Sequence, residues 1–297
     1  MRKGAKSAVL LALLFLAGLA LLLYPLVSSR YNARRSAELI EDYTAVVADT
    51  PQEDYSAWFA AADAYNASLT GKDVPDAFAA ITDEESANYL AQLAFDPDGV
   101  MGYISIPKIA VSLPIYHGTT PATLEKGAGH LEGSALPVGG AGTHCVISAH
   151  RGLPSAAMFT DLDQLALGDH FYIYVLDRVL AYEVDQILTV APDELSALDR
   201  EPDMDYTTLV TCTPYGVNTH RLLVRGHRVD YDVQTAADEG NSVVHSVHTN
   251  YVLWTVVGLL ATAAFIALYV SLSRRNSRDS RSARRPRAHR GVYQARH

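Results

Sequence analysis

The chain has 297 residues, 49% of them hydrophobic and 19% charged, and its two cysteines allow one bridge at most, which excludes a disulfide-built scaffold. Its formal charge of −9 is unevenly spread: Arg2, Lys3 and Lys6 open the chain, nine arginines and one aspartate lie from Arg274 onward, and the region between carries 12 basic against 32 acidic residues, a net of −20. The arginine tail is read as a stop-transfer and lipid-contact segment rather than a nucleic-acid-binding one.

Ala8 to Ser29 carries no charge and is long enough to cross a bilayer as a helix. It exceeds a usual signal-peptide core and lacks a clear A-x-A site, so residues 8–29 are expected to form an uncleaved anchor after a cytoplasmic tail at 1–7. A cleaved signal peptide is the alternative. Residues 30–70 are expected to be helical. Leu39, Ile40, Tyr43, Val46 and Val47, then Trp58, Phe59, Ala62 and Tyr65, recur at helical spacings, and Thr50-Pro51 divides the stretch into two helices. Residues 71–98 hold Gly71, Pro75 and Pro97 around a short helical stretch near Asp83 to Leu93.

From residue 99 to 232, β signals dominate. Strands are expected at Gly102–Ile106, Leu113–Tyr116, His144–Ala149, Phe171–Leu176, Val179–Val190, Thr207–Thr211 and Arg221–Arg228, with a tight hairpin at Asp177-Arg178 and a short helix over Ser155–Leu165. Many short strands without βαβ alternation favour a closed antiparallel or mixed barrel. Residues 233–250 are a polar linker. Tyr251 to Ser273 is a second uncharged run of spanning length, and residues 274–297 are a basic tail. Basic segments outside both runs place the two termini in the cytoplasm and the acidic middle outside. Arg30, Arg34 and Arg35 argue the other way for the first run, but the second has the larger asymmetry.

The chemistry concentrates between Tyr206 and Arg228. A β-rich run ends at Cys212, Pro214-Tyr-Gly216-Val-Asn218 supplies turn chemistry, and a second run starts at His220. This hairpin brings the Cys212 thiol and the Arg221 guanidinium to one end of a sheet. A nearby cation favours the thiolate, the nucleophilic form, and a rigid fork can stabilise an oxyanion. His150, at the end of an apolar run closed by Arg151-Gly152, is the proton carrier. Arg151 and Arg225 rival Arg221, and His220 has the opposite strand parity and a rim role. Cys145 has the opposite parity to His150 and reads as a core residue, with a redox partner as the alternative. His144, Cys145, His150, Cys212 and His220 lack the tight spacing of a metal site, so neither metal nor cofactor is expected.

Thr208-Leu-Val-Thr211-Cys212, with Arg221 and His150, resembles the motif of the sortases, cysteine transpeptidases of Gram-positive surfaces. Gly99-Val-Met-Gly-Tyr-Ile-Ser-Ile-Pro107-Lys-Ile, Leu113-Pro-Ile-Tyr-His-Gly118-Thr, and Gly129-His-Leu-Glu-Gly133 through His150-Arg-Gly-Leu-Pro154 resemble class C, the pilin-polymerising branch. The resemblance implies a mainly β fold, an eight-stranded sortase barrel with an N-terminal helical region and two transmembrane helices. It implies catalysis by Cys212, His150 and Arg221 on LPxTG-like sorting signals of pilin or surface proteins, with a pilin lysine as acceptor. A housekeeping sortase that anchors proteins to peptidoglycan, and a non-enzymatic surface scaffold, are the alternatives. In class C, an Asp-Pro-aromatic lid occupies the active site. Here Val74-Pro75-Asp76-Ala77-Phe78 departs from that order, leaving Asp76 to pair with Arg221 and Phe78 to cover Cys212, or else an ordinary surface loop.

Overall fold

The computed structural model describes residues 2–69, 83–194, 196–232, 234–236, 238, 253, 256–267 and 269. Asp76 and Phe78 lie outside these residues, as does most of the 233–250 stretch. The chain divides into two compact units, residues 1–23 with 251–297, and residues 24–250. In the first, Gly258 lets the backbone approach Leu22, where a Cβ would come within 2.7 Å of the Leu22 side chain.

The second unit is built on a closed barrel of eight strands: β1 Val100–Ile106, β2 Val111–His117, β3 Ala128–His130, β4 Thr143–Ser148, β5 His170–Val175, β6 Arg178–Val190, β7 Asp205–Thr213 and β8 His220–Val229. Their order around the barrel is β1-β2-β3-β4-β7-β8-β6-β5, and β5 pairs back onto β1. β2 with β3 and β4 with β7 are parallel, and the other pairs are antiparallel. Closure gives every strand a hydrogen-bonded neighbour on each side.

The period of two sorts the side chains. Cys145 and Ile147 of β4, and Ala149 just after it, turn inward with Leu209, Leu222 and Val224, joining Ile104, Phe171 and Ile173 in the interior. Each such fully buried large aliphatic or aromatic side chain contributes about 1.5–3 kcal/mol. Val146, Val210, Leu223 and Val190 take the other face, where Leu131 and Leu198 pack on them. Leu198 belongs to the 3-10 turn Ser196–Leu198 in the connection from β6 to β7.

Helix α1 spans Arg2–Asp49 without a break at residues 29–30, so the backbone does not separate the first apolar run from the helical region after it. Helix α2, Gln52–Ser68, follows after Thr50-Pro51. Tyr43 of α1 fixes its end of the helix: its hydroxyl accepts from the Leu176 N–H at 2.8 Å, and its ring meets Phe95 at 5.3 Å. α2 buries Tyr55, Phe59, Ala62 and Tyr65, and the Arg178 guanidinium stacks over Phe59 at 3.5 Å. α3, Asp83–Leu90, inserts Tyr89, whose hydroxyl accepts from the Gly118 N–H at 2.9 Å and meets the buried His130 Nδ1 at 2.8 Å.

Three local expectations within the barrel need correction. The three-residue β3 was missed because Ala-Gly-His carries no β-forming signal. Ser155–Leu165 forms turns and the 3-10 turn Leu162–Gln164 instead of a helix, since Met158 takes a positive φ of 46° that ends any helical run. The β5–β6 turn is Leu176-Asp177, one residue earlier than expected, with Leu176 at φ 49°. Of the two spanning helices expected, α1 contains a long enough apolar helix from Leu13 onward. Within Tyr251–Ser273 the described residues supply the shorter apolar helix Val256–Ala267, next to residues outside the described set on both sides.

Candidate active site

Cys212 and Arg221 face each other across the β7–β8 hairpin as register partners. Arg221 Nη1 lies 3.7 Å from Cys212 Sγ and also donates to the His220 carbonyl at 3.4 Å. Both residues are half-buried at the barrel rim. The hairpin loop follows its turn residues: the Val217 and Asn218 N–H groups both donate to the Pro214 carbonyl at 3.0 Å, and Gly216 and Asn218 take φ of 73° and 62°. The Thr213–Pro214 peptide is cis.

β4 brings His150 to the same rim. The strand runs parallel to β7 with Ser148 beside Val210. The ladder continues one residue further, because the Ala149 N–H donates to the Val210 carbonyl at 3.1 Å and the Thr211 hydroxyl donates to the Ala149 carbonyl at 2.8 Å. Extending that register by one more residue sets His150 level with Cys212. Partial burial lowers the His150 imidazole pKa from its ordinary value, and the Glu125 carboxylate opposes the shift. Glu125 directly follows the short helix α4, Pro121–Leu124, which Thr120 caps through its hydroxyl on the Thr123 N–H.

The rival arginines are committed elsewhere. Arg225 holds Asp185 through two 3.0 Å hydrogen bonds and stacks over Tyr206 at 4.1 Å. Arg151 is buried and bonded to Asp163 and Thr213. His220 is exposed and next to the Thr219 hydroxyl. Cys145 is a free thiol enclosed in the interior, its pKa pushed far up by burial. His144 is buried with Nδ1 at 2.8 Å from the Asp199 carbonyl and Nε2 at 2.7 Å from the Thr208 hydroxyl. Among the described residues no group of three or more His, Cys, Asp or Glu could hold a metal ion.

A separate cavity of about 550 Å³ has walls from α1, β2, α4 and residues 156–158, including Asn32, Arg35, Tyr116 and Glu125. The strand ends that carry Cys212, His150 and Arg221 do not line it. Sequence reasoning missed Thr211 and Arg151 as ties between the two strand ends. Strand parity alone carried the signal, since both sit beside a candidate catalytic residue with the opposite orientation.

A family model described as the Sortase domain matches residues 104–229, a span that contains all three rim residues. Among solved structures, sortase C1 of Streptococcus agalactiae is 50% identical, over 65% of this chain and 98% of that one, at a TM-score of 0.61. Sortase C of Streptococcus pneumoniae, whose crystal structure bears on catalysis and pilin substrate specificity, is 45% identical over 65% and 97%, at 0.59. Sortase A of Bacillus anthracis is 28% identical over 147 residues, half of this chain and 68% of that protein. The chain therefore belongs to the sortase family of cysteine transpeptidases, and within it to the class C branch.

Proposed function

We propose that this sortase polymerises pilins, with Cys212 as nucleophile, His150 as proton carrier and Arg221 as oxyanion donor. The observation that carries the reading is the Arg221 guanidinium 3.7 Å from the Cys212 sulfur at a rim that β4 also reaches. The Cys212 thiolate attacks the carbonyl between Thr and Gly of an LPxTG-like signal. A C–S bond forms, the C–N bond to Gly breaks, and the His150 imidazolium protonates the departing amine. A pilin lysine amine then attacks the thioester. It gives its proton to neutral His150 and releases the thiolate, so the net product is an isopeptide bond. Arg221 stabilises the negative oxygen in both steps.

The likeness to a sortase whose structure concerns pilin specificity supports a pilin as the substrate. The apolar helix from Leu13 supports a membrane anchor. Residues 251–273 form a second span, both termini are cytoplasmic and residues 31–250 are external, as the basic tails suggest. Labelling cysteines placed at Ser280 and Ser242 tests this topology, and labelling of the Ser280 position from outside intact cells refutes it. Wall anchoring is the second reading, favoured by the similarity to a sortase A.

The test supplies a sorting-signal peptide with a pilin-domain lysine and a peptidoglycan bridge amine at equal concentration, followed by mass spectrometry. Faster joining to the lysine is expected, and preference for the bridge amine overturns the pilin reading. Cys212→Ala should form no thioester, while Cys145→Ala should form it as before. A thioester on Cys145 overturns the nucleophile assignment.

A further inference from the structure

The residue after each reacting residue is tied to the other strand. Arg151, next to His150, is 7% exposed, and its Nη1 donates to the Thr213 hydroxyl, next to Cys212, at 2.9 Å. Its Nη2 is ion-paired with Asp163, which lies beyond the turns that follow His150. The neighbouring positions interlock as well. Gly152, at φ 77°, lies against the Tyr215 ring, where a Cβ would come within 3.1 Å. The Gly152 N–H donates to the Thr160 hydroxyl at 3.1 Å, and the Phe159 N–H donates to the His150 carbonyl at 3.0 Å.

The cost of this arrangement points to its purpose. A buried guanidinium loses hydration that one exposed carboxylate partner and one hydroxyl only partly restore, so an apolar residue would serve stability as well or better. Nε of Arg151 has no hydrogen-bond partner among the described residues, which adds to the cost. What the fork supplies is geometry: two directed donors in one rigid plane, one on the Cys212 strand and one on the segment that carries His150 onward. β4 is no longer paired in the ladder after Ser148, and Ala149 makes the last backbone bond to β7. Beyond that point, the Arg151–Thr213 bond is the side-chain link that continues the register.

We propose that Arg151 is a positioning residue that sets the spacing of the His150 imidazole and the Cys212 sulfur by bonding Thr213 and Asp163 behind them. The inference rests on His150 and Cys212 being the reacting pair. A displacement of about 1 Å at a reacting centre costs on the order of a hundredfold in rate, so a tie directly behind both groups is felt in the chemical step.

Thr213→Val removes the acceptor with little change of shape and leaves the Arg151–Asp163 pair intact. Arg151→Lys keeps the charge and loses the fork. Thermal unfolding, steady-state kinetics with a sorting-signal peptide, and single-turnover thioester formation are measured for each variant and for the double variant. For Thr213→Val we expect acylation to slow by about tenfold or more, with KM within about twofold and little change in melting temperature. The double variant should be no slower than Arg151→Lys alone, because both changes break one bond. An acylation rate within about twofold of the parent in Thr213→Val, or losses that multiply in the double variant, overturns the inference. If Arg151→Lys does not fold, Thr213→Val alone decides. Thioester formation on Cys212→Ala would defeat the underlying catalytic reading instead, so the two failures are distinguishable.

Discussion

His144 Nε2 lies 2.7 Å from the Thr208 hydroxyl, four residues before Cys212 on the same strand. His144 Nδ1 faces the Asp199 carbonyl, which only accepts, so Nδ1 carries the proton and Nε2 accepts from Thr208. The ring thereby pins the β6–β7 connection to the barrel. His130 is held in the same way: Nε2 faces the Ala135 carbonyl, and Nδ1 faces the Tyr89 hydroxyl.

Burial pushes the pKa of both histidines down to about 4. The unfolded chain, with an ordinary value near 6.5, takes up these protons first as pH falls. Their contribution to stability is therefore fully present above about pH 6.5 and is lost as pH falls toward 4, at about 1.4 kcal/mol per pH unit for each ring. His144→Gln keeps a donor and an acceptor but removes the titration. Urea unfolding between pH 4 and 7 should show a shallower acid slope in that variant, and an unchanged slope would mean that His144 is not neutral in the fold.

Arg221→Lys keeps a positive charge but loses the planar fork. Loss of a preorganised oxyanion donor typically costs about a hundredfold to a thousandfold in the chemical step. Single-turnover thioester formation should fall by that order, while Arg225→Lys, whose partner is Asp185, should leave it within a few-fold of the parent. Equal losses in the two variants would remove the distinction drawn between these arginines.

Glu125 opposes the burial that lowers the His150 pKa. Glu125→Gln should therefore lower that pKa further and move the limb of the pH–rate profile that depends on imidazolium toward acid. NMR titration of His150 measures the shift directly. A shift toward base would mean that the carboxylate acts on another group.

The barrel was legible because its inward positions alternate through long β-branched runs, and the hairpin because Pro214, Gly216 and Asn218 carry specific turn chemistry. His150, Cys212 and Arg221 could be placed at strand ends for the same reason. The partners of Arg151 and Arg225 were not legible. Asp163 and Asp185 lie on segments whose direction depends on turns at Met158 and on a register shift in β6 between Val184 and Gln186, and neither is encoded in local propensity. α1 continues past Ser29 because Arg30, Arg34 and Arg35 end the apolar run without ending the helix.

Asp76→Ala with Phe78→Ala tests the proposed lid. If Asp76 pairs with Arg221 and Phe78 covers Cys212, the resting site is mostly closed and only the open fraction reacts. The double variant should then speed alkylation of the Cys212 thiol, measured against Cys212→Ala to exclude Cys145. Unchanged alkylation means that this segment is no lid.

The parallel pairing of β4 with β7 bears on the order in which the catalytic group assembles during folding. Thr213 and His220 are joined by the short 214–219 loop, whereas Ser148 meets Val210 only after the whole intervening chain has closed. Closing a loop about tenfold longer costs roughly 2 kcal/mol more in chain entropy. The thiol and the guanidinium can thus meet in a local hairpin, while the imidazole waits for the long-range closure of the barrel. Pulse-labelled hydrogen exchange during refolding should protect the β7–β8 amides before that of Ala149, and simultaneous protection would mean that the nucleus already spans both. A refolding chain therefore first forms a hairpin in which the Cys212 thiol already faces Arg221 while His150 is still absent.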